Sequence, residues 1–120
     1  IVDLPGYGFA KRSQKDQLQW SESIDHYFNQ RTTLKLVLLL VDSRREFSLE
    51  DRQIAYWALQ HQKPLLLIFT KSDTIKPHEK KAVTEKAAVL LPSTPSMYYS
   101  IQDGKSRDLL IAKINHLLTV

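Results

Sequence analysis

The sequence contains no cysteine, which excludes both a disulfide framework and a thiolate metal site. This absence suits a reducing compartment, so we expect a cytoplasmic protein. The chain has one methionine, Met97, and opens on Ile-Val-Asp, a start that is typical of a fragment cut within a strand. The longest apolar run, residues 36–41, is too short to span a bilayer, and no signal-peptide pattern opens the chain. We therefore expect no membrane partner.

The remaining composition is ordinary for a folded chain. With 120 residues, 42% hydrophobic and 25% charged, it can build one core, and no repeat or linker divides it. We expect residues 1–120 to form a single unit. The net charge of +4 suits RNA or an acidic partner, but a solvated excess of lysine is the more common explanation.

Hydrophobic patterning predicts four strands that alternate with four helices. The strands are expected at residues 1–2, 34–42, 65–70 and 97–99, and the helices at 13–29, 48–61, 77–91 and from 106. Ser48 and Ser106 are candidate N-caps, and Pro77 suits a first turn. The apolar runs at 36–41 and 65–69 do not alternate, so both strands should be covered on both faces. This order predicts an α/β fold with a mostly parallel sheet and flanking helices.

Three segments with polar residues lie at the carboxyl ends of predicted strands. They are Asp3-Leu4-Pro5-Gly6, Thr70-Lys71-Ser72-Asp73 and Tyr99-Ser100-Ile101. Ligands of open α/β sheets bind at the carboxyl ends of the strands, so this shared placement predicts a ligand site.

The first segment has the chemistry of a phosphate sensor. A carboxylate such as Asp3 can hold Mg²⁺ through a water molecule, and the backbone N–H of Gly6 can approach a γ-phosphate closely. Taken alone, Pro-Gly after a strand is usually a simple turn.

The second segment has the chemistry of base recognition. Asp73 can accept the N1–H and the 2-amino group of guanine, whereas adenine offers neither donor. The Lys71 stem can lie along the face of the base while its ammonium stays hydrated. Taken alone, the segment could also be an ordinary polar loop.

Together with residues 7–11 and 36–44, these motifs resemble the EngB-type (YihA/YsxC) GTP-binding proteins. The resemblance covers all 120 residues, which correspond to the C-terminal two-thirds or so of a typical member. It implies a Ras-like P-loop GTPase fold that lacks its first strands and its P-loop, and a partial GTPase domain. It also implies GTP and GDP as ligands, Mg²⁺ as cofactor, and a role in large ribosomal subunit assembly, in contact with rRNA and ribosomal protein, with a link to septation and cell division. DNA is not an implied partner.

The resemblance also assigns roles to residues. Residues 3–6 take the γ-phosphate motif, 7–19 the second switch region, and Thr70, Lys71 and Asp73 the guanine motif. Ser100 and Ile101 fall on the last base-contacting loop, where Ile101 replaces the small residue of the family. Tyr7 stands where Ras-type enzymes have a water-orienting Gln, so we expect slow intrinsic hydrolysis.

A phosphate-binding loop of the form Gly-x-x-x-x-Gly-Lys-Ser is missing from the sequence. Gly104-Lys105-Ser106 has Tyr99 in place of the first Gly, so we interpret it as a helix entry. Without this loop and its strand we expect exposed sheet edges, and either poor solubility or feeble GTP binding. A micromolar GTP affinity of the isolated chain would contradict this expectation.

Three alternatives remain open from the sequence. The chain could be a degenerate, non-enzymatic GTPase-like module that binds RNA or protein. Residues 36–42 could be the Walker B strand of an ATPase, although a buried strand ending in Asp is common. Lys11-Arg12 could contact rRNA or simply be solvated. The four histidines, His26, His61, His78 and His116, lack metal spacing and are expected at the surface.

Overall fold

A parallel sheet of three strands organises the described chain. The structure, a computed structural model, describes residues 14–119, so the predicted strand at residues 1–2 lies outside it. The sheet has the order β1–β2–β3, with strands Val37–Asp42, Leu65–Thr70 and Ser96–Tyr98. Val37 lies opposite Leu65 and Asp42 opposite Thr70, and β3 pairs with the second half of β2. All three strands therefore end at the same edge.

Helices alternate with these strands. They are α1 (Gln14–Gln30), α2 (Leu49–Gln60), α3 (Pro77–Leu90) and α4 (Gly104–Thr119), and one turn of 3-10 helix, Ser72–Thr74, lies just after β2. The parallel α/β architecture is thus confirmed, although β1 begins at Val37 instead of residue 34. Within residues 14–119, no helix combines the length and the apolar character that a bilayer crossing requires.

Local chemistry sets the start of α2. Ser48 Oγ accepts the Asp51 N–H at 3.0 Å, and the Asp51 carboxylate accepts the Ser48 N–H at 2.8 Å. This capping box satisfies free N–H groups of the first turn and confirms the predicted N-cap. Burial raises the pKa of Asp51, although its bond from Ser48 opposes the shift. Pro77 likewise occupies the first turn of α3, as predicted.

The start of α4 corrects the sequence-based prediction. The helix begins at Gly104, and Asp103 just before it accepts the Lys105 N–H through Oδ1 at 3.0 Å. Ser106 is therefore inside the helix and is buried, so it is not the N-cap. The helix-entry interpretation of Gly104-Lys105-Ser106 is confirmed.

The main core lies between one face of the sheet and helices α1 and α2. Its centre contains Trp20, Ile24 and Phe28, which lie on one apolar face of α1. Helix α2 adds Ile54 and Ala58, and the sheet contributes alternate residues of β1 and β2: Val37, Leu39, Val41, Leu67 and Phe69. The two helices and this sheet face therefore form one packed layer pair.

The other face of the sheet differs between its two long strands. Leu38 and Leu40 of β1 are 36% and 53% exposed, whereas their partners Leu66 and Ile68 are 0% and 2% exposed. The prediction of burial on both faces is confirmed for β2 and wrong for β1. Within the described chain, β1 is an edge strand, and α4 covers this face only loosely because its apolar side chains stay half-buried or exposed.

Candidate functional site

A pocket opens where β1 and β2 end, next to the start of α4. Its volume is about 560 Å³, which is within the usual range for small-molecule sites. The polar part of its wall comes from Thr70, Lys71, Asp73 and Thr74, at and just after the end of β2. The apolar part comes from the open sheet face and from α4, through Leu38, Leu40, Ile68 and Leu110.

Hydrogen bonds and one left-handed residue define the backbone of the loop after β2. Thr70 Oγ1 donates to the Val41 carbonyl at 3.4 Å, which ties the strand end to β1. Lys71 then adopts the left-handed conformation with φ 56°, which is uncommon for a residue with a Cβ. The carbonyl of Lys71 accepts the Thr74 hydroxyl at 2.6 Å. These contacts turn the chain so that Asp73 lies at the pocket.

Ser72 has a structural role within this loop. It is 7% exposed, and its N–H donates to the Tyr99 carbonyl at 3.2 Å. This bond joins the loop after β2 to the loop after β3. Ser72 is absent from the pocket wall, and its bond to Tyr99 supports the loop that carries Lys71 and Asp73.

Asp73 and Ser100 meet across these two loops. Ser100 Oγ donates to Asp73 Oδ1 at 2.7 Å, and Ser100 itself is 2% exposed. The Ser100 hydroxyl also accepts the Gln102 N–H at 3.1 Å, and the backbone N–H of Ser100 donates to Ser106 Oγ at 3.4 Å, so both the side chain and the backbone of Ser100 are held. Asp73 is exposed, so a rigid donor orients a carboxylate that still faces solvent.

Tyr99 and Ile101 flank Ser100 and line the same pocket. Tyr99 is half-buried, whereas Ile101 is 85% exposed at the rim. A flat aromatic or heterocyclic ring could therefore lie against apolar walls while its edge reaches Asp73. This division into apolar faces and one polar edge suits a nucleobase.

The sequence indicates Asp42 only as the end of a possible Walker B strand, and the structure shows the cluster of charges around it. Its side chain is 6% exposed and faces three cations: Arg44 Nη2 at 2.9 Å, Lys71 Nζ at 3.4 Å and Arg45 Nε at 3.9 Å. The hydrogen bonds from Arg44 hold the pKa of the Asp42 carboxyl well below its usual range, against the effect of burial. In return, Asp42 raises the pKa of Arg44.

The structure brings together Thr70, Lys71, Asp73, Tyr99 and Ile101 at one pocket and joins Ser100 to Asp73. Asp3, Leu4, Pro5 and Gly6 lie outside the described residues, as do Tyr7 and Lys11-Arg12. Between residues 14 and 119, no three His, Cys, Asp or Glu side chains cluster as metal ligands would. His61 departs from the expected surface position, since it is half-buried and stacks on Phe28 at 5.7 Å.

Comparison with known proteins defines the class of this architecture. The structure covers 77% of a solved chain described as a probable GTP-binding protein EngB, with a TM-score of 0.79 over 99% of this chain and 19% sequence identity. The fold is therefore that of a GTPase, with the pocket at the carboxyl edge of the parallel sheet.

Sequence comparison identifies the family. The chain is 36% identical over 120 residues to a probable GTP-binding protein EngB of Protochlamydia amoebophila (strain UWE25). It is 34% identical over 123 residues to one of Desulfotalea psychrophila (strain LSv54 / DSM 12343). Both matches use 98% of this chain and span 58% and 62% of those relatives. A scan against protein-family models gave no match. The chain belongs to the EngB-type GTP-binding proteins.

Proposed function

We propose that the pocket at the ends of β1 and β2 binds the guanine base of GTP or GDP. The observation that carries this proposal is the Asp73 carboxylate, exposed at a pocket with apolar walls and oriented by the buried Ser100. A carboxylate in the plane of the base accepts the N1–H and the 2-amino group together. Adenine presents a lone pair at N1 and no 2-amino group, so it would leave the carboxylate unpaired.

The residues that line the pocket indicate which contacts the base would make. The aliphatic stem of Lys71 and the flanking Tyr99 and Ile101 would cover the base, while Thr70 and Ser72 hold the loop. These contacts discriminate little between purines, because every base has a flat apolar face. Selectivity therefore depends on Asp73 and on Ser100, which orients it.

The remaining functions rest on family membership. We propose that Asp3 holds Mg²⁺ through water and that residues 3–6 sense the γ-phosphate. Mg²⁺ would supply charge neutralisation during GTP hydrolysis. We propose that residues 1–120 form one partial GTPase domain acting in the cytoplasm, in large ribosomal subunit assembly, with rRNA and ribosomal protein as partners and a link to septation. Tyr7 in place of a water-orienting Gln favours slow hydrolysis without a partner.

A base-selectivity titration tests the central part of the proposal. The isotope-labelled chain is titrated with GDP, inosine diphosphate and ADP up to millimolar concentrations, and backbone NMR signals are followed. Inosine keeps N1–H and lacks the 2-amino group, so the expected order of affinity is GDP, then inosine diphosphate, then ADP. Each hydrogen bond to the carboxylate that is lost should weaken binding by roughly tenfold or more.

The location of the shifts provides the internal control. Signals of residues 70–74 and 99–102 should move, whereas those on the exposed side of α1 should not. Equal affinity for GDP and ADP would contradict guanine recognition. A folded chain that binds none of the three nucleotides would favour a non-enzymatic module instead.

A further inference from the structure

The end of β1 contacts Lys71 through both its side chain and its backbone. Asp42 pairs with the Lys71 ammonium at 3.4 Å, and the neighbouring Ser43 donates its hydroxyl to the Lys71 carbonyl at 3.3 Å. The Ser43 N–H also donates to the carbonyl of Thr70 at 3.0 Å, directly before Lys71. Asp42, at the end of β1, and Ser43, directly after it, therefore contact the same lysine at its ammonium group and at its backbone carbonyl.

This support is needed because Lys71 is in an unfavourable backbone conformation. A left-handed lysine costs free energy relative to the ordinary helical or extended regions, and such conformations persist only where surrounding contacts impose them. Thr74 supplies one such contact, from within the same loop. The contacts from Asp42 and Ser43 come from a different strand, so they also fix the loop relative to the sheet.

The position of Asp42 separates it from the ligand pocket. Thr70, Lys71 and Asp73 line the pocket, whereas Asp42 does not. Lys71 lines the pocket, and its ammonium pairs with Asp42 at the end of β1. Any effect of Asp42 on a bound base is therefore transmitted through Lys71.

We propose that Asp42 is a positioning residue for base recognition, which fixes the Lys71 stem against the pocket and, with Ser43, holds the loop that presents Asp73. This inference rests on the proposed guanine site. Arg44 completes the arrangement, because its bonds to both carboxylate oxygens of Asp42 fix the orientation of that group. The Asp42 side chain is 6% exposed while Lys71 is 55% exposed, so the carboxylate is the rigid partner and the lysine is the one positioned.

A double-mutant cycle on GDP binding tests the inference. The variants are Asp42→Asn, Lys71→Met and the double variant of the full chain, with GDP and ADP affinities measured by NMR titration. Asp42→Asn alone should weaken GDP binding roughly threefold to tenfold, since an ion pair with one exposed partner contributes modestly. In the Lys71→Met background the same change should have little further effect, because the residue it acts through is already altered.

Glu46→Gln is the matched control. Glu46 lies in the loop that follows β1 and, like Asp42, pairs with a lysine, in this case Lys86. This pair is exposed, and neither of its residues lines the pocket. This variant should leave GDP affinity unchanged. In the unliganded Asp42→Asn protein, backbone signals of residues 71–73 should shift while those of the core around Trp20 stay in place, and Asp42→Glu should restore part of the lost affinity.

The outcomes separate this inference from the base-site proposal. If the wild-type chain binds GDP over ADP and Asp42→Asn has no effect, the base site stands and the positioning role is overturned. If Asp42→Asn weakens GDP binding equally in the wild-type and the Lys71→Met backgrounds, the positioning role is also overturned, since Asp42 would then act by another route. If the wild-type chain does not distinguish GDP from ADP, the base-site proposal fails and takes the positioning role with it.

Discussion

Strands β1 and β2 are hydrogen-bonded neighbours of equal length, yet they differ in packing and in the chemistry at their carboxyl ends. β2 is buried on both faces, and the loop after it presents an exposed carboxylate, Asp73, held by a neutral hydroxyl. β1 is buried on one face only, and the carboxylate at its end, Asp42, is surrounded by cations.

The two carboxylates lie at the same edge of the sheet but differ in their partners, and therefore in the roles that they can take. Asp42 is neutralised by side chains of this protein, so it has little capacity left for a ligand, which agrees with the supporting role proposed for it. Asp73 accepts from Ser100 through one oxygen, which fixes its orientation and leaves acceptor capacity for a base. The residue that we propose to contact the base and the residue that we propose to hold the site are thus distinguished by their partners.

The largest expected effect comes from the packing difference between the strands. Ile68→Ala should lower the free energy of unfolding by about 2–5 kcal/mol, because it empties a fully packed position. Leu40→Ala, at the partner position on the same face, should cost about 1 kcal/mol or less, because Leu40 is already half exposed. Urea unfolding followed by circular dichroism measures both, and equal losses would show that the face of β1 is covered after all.

A smaller effect on stability is expected from a substitution at the end of β1. Asp42→Asn should lower the free energy of unfolding near neutral pH, because the native state favours the ionised carboxylate that Arg44 and Lys71 hold. The pKa of Asp42 is lowered on folding, so this contribution is complete above its ordinary value of 3.8 and disappears as the pH falls further below it.

Unfolding of both proteins across a pH series measures this dependence. The difference in free energy of unfolding between wild type and variant should become smaller as the pH falls below 3.8. Asp51 acts in the opposite direction, since its raised pKa favours the protonated native state, but it is present in both proteins and cancels in the difference. A difference that is independent of pH would show that Asp42 contributes packing and no charge interaction.

The smallest expected effect concerns the orientation of Asp73. Ser100→Ala removes the hydroxyl that donates to Asp73 Oδ1, so guanine affinity should fall by roughly twofold to tenfold, the usual range for one neutral donor. GDP titration measures the change, with Ser23→Ala on the exposed side of α1 as control. An unchanged affinity would mean that Asp73 reaches the base without this support.

Local chemistry makes several parts of the fold predictable. Ser48 with Asp51 specifies a helix start within four consecutive residues, and Pro77 specifies another, so both predictions are confirmed. The apolar run that ends at Thr70 predicts β2 with its observed bounds. A run of similar length does not reveal the exposed face of β1, because cover on that face depends on which other elements pack there.

The parts of the site that the sequence does not reveal depend on contacts between distant segments. Asp42 has the pattern of an ordinary end of a buried strand, although its place beside Thr70 at the shared edge of the sheet could have suggested the pair with Lys71. Ser106 has the residue type of an N-cap, but Asp103 takes the cap and leaves Ser106 to hold Ser100. Such competition between neighbouring cap candidates is decided by tertiary packing.

The most direct test of guanine recognition is a change of base preference at Asp73. Asp73→Asn replaces one acceptor oxygen by an amide donor, which matches xanthine, whose C2 carries a carbonyl in place of the amino group of guanine. The variant should bind xanthosine diphosphate better than GDP, while the wild-type chain should show the reverse order. If Asp73→Asn keeps the wild-type preference for GDP, the carboxylate does not contact the base and the proposed site is wrong.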